Sequence, residues 1–373
     1  MTSEEARELM RRAARQAQFL EVVDRDEAEA RFRRHLTLAP LGIERVPLAA
    51  ALGRVLSVDV VAGVDVPGFD RSSVDGFAVR AADTVGAAAG APRTLRLGAE
   101  ILTPGVEPRG PVAEGGATLI ATGGMVPRGA DAVVMVEQTE LREEGAGLLL
   151  DVHRPVAPGE SIAAAGSDLA RGETVLRAGQ FLTSRELGSL AAVGLAEVAV
   201  WRRPRVAILS TGDEVVAPGR PLPPGGVYDS NAAILGAAVE ELGGVPVPLG
   251  IAPDDEAALA ELLEVALRED LVLLSGGTSK GAGDVAARVV ARLGEPGVVV
   301  HGVALKPGKP LCLAVTRGKP VVILPGFPTS AVFTFHEFVA PVIRAFAGQP
   351  AERRATVPAT LATRLTSQPS ALR

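Results

Sequence analysis

The chain has 373 residues, which is enough for two or three domains, and it combines a formal net charge of -6 with only 3% aromatic residues. Nucleic-acid binding favours a basic domain and aromatic surfaces for stacking, so the composition argues against a nucleic-acid partner. The charged start of the chain lacks the apolar core of a signal peptide, and no uncharged run reaches membrane-spanning length, so we expect a soluble, cytoplasmic protein without a membrane partner.

The pattern of apolar residues divides the chain into four parts. Residues 1–35 have apolar residues at helical spacing and form a predicted N-terminal helical segment. Residues 36–180 alternate short apolar runs with Gly and Pro turns, which is typical of small β-rich linker and substrate-binding domains. Residues 181–348 alternate strands with helices, which predicts a doubly wound parallel sheet, and residues 349–373 form a short tail. The predicted fold class is therefore α/β plus mainly-β domains.

Four polar loops follow the predicted strands of the α/β domain, and ligands of such sheets bind at the carboxyl ends of the strands. The loops are STGDE (210–214), SGGTSKGAGD (275–284), KPGKP (306–310) and LPGFPTS (324–330). Together they predict a ligand site at this edge of the sheet.

The glycine-rich loop 275–284 has the composition of an anion site. Its glycines let the backbone approach a ligand, Lys280 adds a positive charge, and Asp284 could hold a divalent metal. Alone, however, the loop proves only a turn, and Asp284 could instead be the N-cap of the next helix. In the loop 306–310, prolines stiffen a turn that carries Lys306 and Lys309, and an oxyanion would neutralise these two cations.

Other candidates have structural alternatives. The two acids of the loop 210–214 could bind a metal or accept from ribose hydroxyls. Alternatively, Thr211 and Asp213 could cap the loop backbone, and we weigh the two equally. The last helix favours an anion near Ser330, whereas Thr329 fits a helix cap. The helix after residue 229 is predicted to have Ser230 or Asn231 as its N-cap.

Two candidates lie in the β-rich region. Asp75 precedes a glycine and could bind a metal or act as a base, whereas Asp65 and Asp70 fit turn chemistry. Thr122 offers a hydroxyl between a strand and glycines. Cys312, the only cysteine, lies in an apolar run and is predicted to be a small buried side chain, and the four histidines lack the spacing of zinc ligands.

Seven stretches, in this order, resemble the molybdopterin molybdenumtransferase family, which includes the bacterial MoeA proteins and the C-terminal domain of gephyrin. They are VPGFDRSSVDGFAV, TGGMVPRGADAVVMVEQT, ILSTGDEVV, GGVYDSNAAIL, SGGTSKGAGDV, KPGKP and LPGFPTSA, within roughly residues 35–350. The resemblance implies an elongated homodimer whose active site lies between the β-rich domain of one subunit and the α/β domain of the other.

The resemblance also implies a reaction. Adenylyl-molybdopterin and molybdate (or tungstate) bind, the pyrophosphate link is hydrolysed with Mg²⁺, and AMP and molybdenum cofactor leave. Other molybdenum cofactor biosynthesis proteins and apo-molybdoenzymes are the further partners that it suggests.

Individual residues take roles from the same resemblance. Asp75, Glu214 and Asp284 are expected to be catalytic, with Glu214 and Asp284 holding Mg²⁺, while Lys306 and Lys309 match the segment that holds molybdate. The other expected substrate-binding residues are Thr122, Asp168, Thr211, Gly212, Ser275, Gly276, Gly277, Thr278, Ser279, Lys280 and Ser330.

The sequence departs from the family pattern at several of these stretches. The family usually has Val at Lys280, an acid at Ala282, Asn at Phe327 and an arginine within residues 163–165. These changes motivate one alternative, a non-catalytic carrier or sensor that binds molybdopterin or an oxyanion. A molybdopterin adenylyltransferase is a second alternative, but it is typically a single domain. Residues 349–373 are interpreted as the remnant of a fourth β-domain.

Overall fold

The computed structural model describes residues 21–145, 147–276, 282–352, 356–360 and 362–363, and for residues 282–284 the backbone alone. The helices are α1 (Arg25–Arg33), α2 (Ser184–Ala192), α3 (Ser230–Glu241), α4 (Glu256–Ala266), α5 (Ala282–Arg292), α6 (Pro328–Thr334) and α7 (Ala340–Phe346), with a π-helical segment Phe335–Val339 between the last two. Within these described residues, no helix is long and apolar enough to cross a membrane.

In the described part of the chain, twenty strands accompany the helices. They are β1 (Ile43–Pro47), β2 (Val60–Val61), β3 (Arg71–Ser72), β4 (Gly76–Val79), β5 (Arg93–Leu102), β6 (Gly116–Ile120), β7 (Ala132–Met135), β8 (Thr139–Glu144), β9 (Gly147–Val152), β10 (Ile162–Ala163), β11 (Thr174–Leu176), β12 (Glu197–Trp201), β13 (Arg205–Thr211), β14 (Val215–Val216), β15 (Val227–Tyr228), β16 (Val245–Ala252), β17 (Leu271–Ser275), β18 (Pro296–His301), β19 (Cys312–Thr316) and β20 (Lys319–Leu324).

The C-terminal half is built on a six-stranded sheet in the order β16-β13-β17-β20-β19-β18. The first four of these strands run parallel, whereas β19 and β18 are antiparallel to their neighbours. The prediction of a parallel sheet therefore holds for four strands and not for this edge. A turn at Arg317 and Gly318, both with positive φ, joins β19 directly to β20, and so short a connection can only reverse the chain.

Helices cover both faces of this sheet, as predicted. On one face, Ile208 and Leu273 pack with buried residues of α1, α3 and α7. On the other face, Val272 and Leu274 pack with residues of α4 and α5. Since successive strand residues point to opposite faces, a strand covered on both faces must be apolar throughout, and all residues of β17 are buried.

The predicted N-terminal segment is represented by α1, since residues 1–20 lie outside the described part of the chain. Ala28 and Phe32 of α1 are buried in the core of the α/β region, and Val23 bridges to Val303. The segment before the β-rich region thus packs against the C-terminal half.

The β-rich region contains a six-stranded sheet in the order β7-β4-β6-β5-β9-β8 and three two-stranded sheets, β1–β12, β2–β11 and β3–β10. We predicted that the α/β domain begins at residue 181. Because β1 pairs with β12, the structure places this boundary later in the chain. Leu182, Leu190 and Val198 share a core with Val46 and Leu56, so α2 and β12 complete the first β-rich unit. The α/β unit begins only with β13.

Three helix starts differ from the predictions. Asp229 is the N-cap of α3, because its side chain accepts a hydrogen bond from the amide of Ala232, so Ser230 and Asn231 are already helical. Phe327 precedes α6 without a side-chain cap, which removes the capping role of Thr329. Helix α5 begins at Ala282, which places the backbone of Asp284 in its first turn and not at the N-cap.

Candidate functional site

Asp75 and Thr122 contact each other directly in the β-rich region. The loop before β4 carries Asp75, and its Oδ1 accepts hydrogen bonds from the backbone N of Thr122 at 2.7 Å and from Thr122 Oγ1 at 2.9 Å. These two bonds, the backbone one first, lower the pKa of the Asp75 carboxyl below its ordinary value. Asp75 is therefore an exposed, ionised carboxylate at neutral pH.

Two neighbouring aspartates have structural roles, although their contacts are with a distant segment and not with the local turn that was predicted. Asp65 Oδ1 accepts from the amide of Arg171 at 2.7 Å, and Asp70 Oδ1 accepts from the amide of Ala165 at 2.8 Å. These bonds tie the loop before β3 to the segment after β10, which brings residues 163–168 beside the Asp75 loop.

Asp168 lies in that segment and is close to a cation. The guanidinium of Arg71 lies 3.7 Å from Asp168 Oδ2, with both side chains largely exposed. Arg71 also pairs with Ala163 across β3 and β10. Arg71 therefore lies beside the segment 163–165, within which the family pattern includes an arginine.

Three parallel strands end together at the α/β edge. β13 ends at Thr211, β17 at Ser275 and β20 at Leu324, and these strands are neighbours in the sheet. The chain turns sharply after β17, where Gly276 has a φ of +102°. A Cβ there would lie 2.3 Å from the carbonyl oxygen of Thr211, so only glycine fits this close approach.

Buried polar groups lie at this convergence. Ser210, Thr211, Ser275 and Asn231 are all less than 10% exposed. Ser210 Oγ, Thr211 Oγ1 and Asn231 Oδ1 find no hydrogen-bond partner in the described part of the chain. Buried polar groups are nearly always paired in folded proteins, so these atoms indicate a place where a ligand or water completes the hydrogen bonding.

The lysine loop lies next to helix α6. Lys306 and Lys309 are exposed, and neither ammonium has a hydrogen-bond or ion-pair partner among the residues that the structure describes. Gly308 is buried between them, and a Cβ there would lie 2.6 Å from Thr334 Cγ2. The Thr334 hydroxyl donates to the carbonyl oxygen of Ser330 at 2.8 Å, so the loop packs on the helix that carries Ser330.

Three carboxylates gather at the outer end of this edge. Asp213 and Glu214 follow β13, and Asp254 follows β16, with the Asp254 amide donating to Asp213 Oδ1 at 3.2 Å. Desolvation and the negative charges of Asp213 and Glu214 raise the pKa of the Asp254 carboxyl. A divalent cation would relieve this repulsion.

The residues present fit Mg²⁺ only in part. Among the described residues, no three acids, histidines or cysteines are arranged to hold a metal ion. Mg²⁺ is often bound by one or two carboxylates while substrate phosphates and waters complete its coordination, which suits Glu214 and its neighbours.

Several predicted site residues lie outside the described part of the chain. They are Gly277, Thr278, Ser279 and Lys280, together with the side chain of Asp284. Their predicted roles, and those of Gly212 and the other placed residues, stay predictions. Cys312 is described and is buried, and burial raises the pKa of its thiol to about 12, in agreement with an inert hydrophobic role.

No described contact joins the two groups of site residues. In the described ranges, no hydrogen bond or ion pair connects the Asp75 loop to the strand ends of the α/β sheet. The Asp75 loop and these strand ends form two polar surfaces of the described chain.

Comparisons with known proteins match both halves of the chain. Residues 23–194 match a family model described as MoeA N-terminal region (domain I and II), and residues 207–345 match one described as probable molybdopterin binding domain. Molybdopterin molybdenumtransferase 2 of Mycobacterium tuberculosis is 41% identical over 327 residues, which cover 86% of this chain and 80% of that protein. The chain belongs to the molybdopterin molybdenumtransferase family.

Other members of the family are also similar to this chain over most of its length. The molybdopterin molybdenumtransferase of Haemophilus influenzae is 34% identical over 87% of this chain and 78% of its own length. A solved structure of a molybdopterin biosynthesis MoeA protein from Pyrococcus horikosii superimposes with a TM-score of 0.77 at 39% identity and covers 88% of this chain and 81% of that one. The predicted resemblance and fold class are therefore confirmed.

The structure adds two residues that the sequence analysis did not assign to the site, Asp254 and Asn231. Asp254 follows a predicted strand of the same sheet, so the rule of strand carboxyl ends would have found it. Asn231 was interpreted as a possible helix cap, and no local pattern reveals that its side chain reaches across to another strand.

Proposed function

We propose that the protein is a molybdopterin molybdenumtransferase that binds adenylyl-molybdopterin and molybdate (or tungstate) and releases AMP and molybdenum cofactor. The observation that carries the proposal is the composition of one sheet edge. Strands of one sheet are followed by two lysines and by buried hydroxyls that have no partner among the described residues, and by a group of carboxylates. An oxyanion, a phosphorylated ligand and a divalent cation together complement such an edge.

Lys306 and Lys309 suit molybdate. They stand on one short turn that packs on Thr334 at Gly308, so one anchored segment carries both positive charges. An oxyanion between them gains from both charges at once, and the exposed position lets it enter from solvent.

Thr211, Ser275 and Gly276 suit the nucleotide phosphates. The hydroxyls can donate to phosphate oxygens, and Gly276 leaves the backbone open to a close approach. Glu214 and Asp254 would hold Mg²⁺ beside them, and bound Mg²⁺ would neutralise phosphate charge as the pyrophosphate link breaks.

Asp75 suits a binding role more than that of a strong base. A carboxylate with a lowered pKa remains ionised and takes up a proton poorly at neutral pH. It can accept hydrogen bonds from the pterin or orient a water molecule.

The protein is proposed to act as a homodimer. Among the described residues, Asp75 and Thr122 on one polar surface form no hydrogen bond or ion pair with Glu214 on the other, and a second copy can bring the two surfaces together. Sedimentation of the purified protein tests the oligomeric state, and a monomer with full activity would contradict the proposal.

AMP release from adenylyl-molybdopterin tests the proposed function. We expect release that requires Mg²⁺ and is strongly reduced in Glu214→Gln, whereas Glu264→Gln, which loses a surface ion pair with Arg317, remains active. Binding of the nucleotide without AMP release in the wild type would instead favour the non-catalytic alternative that the substitution of arginine within residues 163–165 suggests.

A further inference from the structure

Asn231, the only asparagine of the chain, connects three elements at the α/β edge. It lies in the first turn of α3 and is 8% exposed. Its Nδ2 donates to Ser275 Oγ at 2.7 Å and to the carbonyl oxygen of Gly326 at 2.8 Å. One buried amide therefore joins α3 to the ends of β17 and β20.

The bond to Ser275 determines how that hydroxyl can act. A serine hydroxyl has one proton to donate and two sites that accept. Asn231 occupies an accepting site, and no described residue accepts the Ser275 proton. Ser275 is 3% exposed, and an unpaired donor at such a position is unfavourable unless a ligand accepts its proton.

The surroundings of Ser275 also point to a ligand. Asn231 Oδ1 and Thr211 Oγ1 are buried and find no partner among the described residues. Thr211 lies against Gly276, whose missing side chain brings the ends of β13 and β17 together. Unmet hydrogen bonds thus lie on Asn231, which contacts the Ser275 hydroxyl, and on Thr211, which lies against the next residue, Gly276.

We propose that Asn231 is a positioning residue that holds the Ser275 hydroxyl as a hydrogen-bond donor toward a phosphate oxygen of the bound nucleotide. The identity of that nucleotide rests on the proposed function, whereas the hydrogen-bond geometry does not. Losing one hydrogen bond to a charged group weakens binding by roughly 10- to 100-fold.

A double-mutant cycle measures whether Asn231 acts through Ser275. We expect Asn231→Ala and Ser275→Ala each to raise the Kd and the KM for adenylyl-molybdopterin roughly tenfold or more, and the double variant to be no worse than Ser275→Ala. Ser230→Ala, an exposed neighbour in the same helical turn, should leave both unchanged. Additive losses in the double variant, or a lower Tm with wild-type affinity, would overturn the proposal.

A second measurement uses only the wild type, so that it does not depend on whether a variant folds. Protein labelled at asparagine shows one side-chain NH₂ pair, because the chain has one asparagine. AMP and pyrophosphate should shift this pair, and potassium chloride at the same ionic strength should not. A pair that stays unshifted with both probes at millimolar concentration would overturn the inference.

The two proposals fail in different ways. A shifted NH₂ pair in a protein that releases no AMP would contradict the proposed function and support the role of Asn231. Normal AMP release by Asn231→Ala, with unchanged KM, would contradict the role of Asn231 alone.

Discussion

At the scale of one residue, hydrogen bonds from Thr122 stabilise the ionised form of the Asp75 carboxyl. Its pKa is lowered by hydrogen bonds from the amide and the hydroxyl of Thr122, so the native state favours the ionised form. The stabilisation from these bonds is present above the pKa of an ordinary aspartate. It is lost as the pH falls through the lowered native value, where Asp75 becomes protonated.

Thr122→Val should raise the pKa of Asp75 part of the way toward its ordinary value. The hydroxyl bond is removed, but the backbone bond, which is the larger cause, remains. Thr122→Ser keeps a hydroxyl and should leave the pKa near that of the wild type. An NMR titration of the Asp75 carboxyl measures the shift, and equal pKa values in the valine variant and the wild type would show that the hydroxyl does not contribute.

At this scale the sequence predicted residue types better than contacts. Asp65 and Asp70 were assigned to turn chemistry, but their carboxylates accept hydrogen bonds from amides that lie 106 and 95 residues further along the chain, which no local pattern reveals. Asn231 was not assigned to the site, because Asp, Ser and Asn are all good N-caps and the sequence does not say which of three adjacent residues takes that position.

At the scale of one element, helix α6 begins without a side-chain cap. Phe327 occupies the N-cap position with extended backbone angles, and its side chain is 79% exposed. A polar side chain there could accept a hydrogen bond from the first turn of the helix.

Phe327→Asn should therefore stabilise the protein by about 1 kcal/mol relative to Phe327→Ala, since both remove the aromatic ring and only asparagine caps. Urea unfolding of the two variants measures the difference in free energy of unfolding. If the alanine variant is as stable as the asparagine variant, the uncapped start of α6 has no measurable cost.

The helices of the α/β region were predictable as elements, because their apolar spacing is a local signal, whereas the starts of α3 and α6 were not predicted correctly. The direction of β19 was not predicted. This strand has the apolar residues of a buried parallel strand, and only the turn at Arg317 and Gly318 reveals that the chain reverses.

At the scale of the whole molecule, the pattern of apolar residues changes near residue 180, where a helix follows the β-rich segments. The hydrophobic core does not change there, because this helix still packs with the β-rich region. Helix α2 looks like the start of the α/β region, yet Leu182 and Leu190 pack with the β-rich residues Val46 and Leu56. Which core an amphipathic helix joins depends on contacts between distant parts of the chain, which a single sequence does not record.

Mixed dimers test whether the two polar surfaces form a shared site. Asp75→Ala and Glu214→Ala subunits should each be inactive alone, and an equal mixture should regain about a quarter of the wild-type sites, because each heterodimer contains one intact site. Subunit exchange is verified by a tag on one variant. Exchange without recovered activity would place both residues in the site of the same chain, or show that one of them is dispensable.

Transfer of molybdenum to the pterin tests the central claim most directly. Wild-type protein is incubated with adenylyl-molybdopterin, Mg²⁺ and molybdate, after which AMP and the molybdenum that remains with the pterin are measured in the same sample. We expect AMP and pterin-bound molybdenum to appear together in about equal amounts, and neither to appear when Mg²⁺ is removed. AMP release that leaves the pterin free of molybdenum, or nucleotide that is bound and recovered intact, would contradict it.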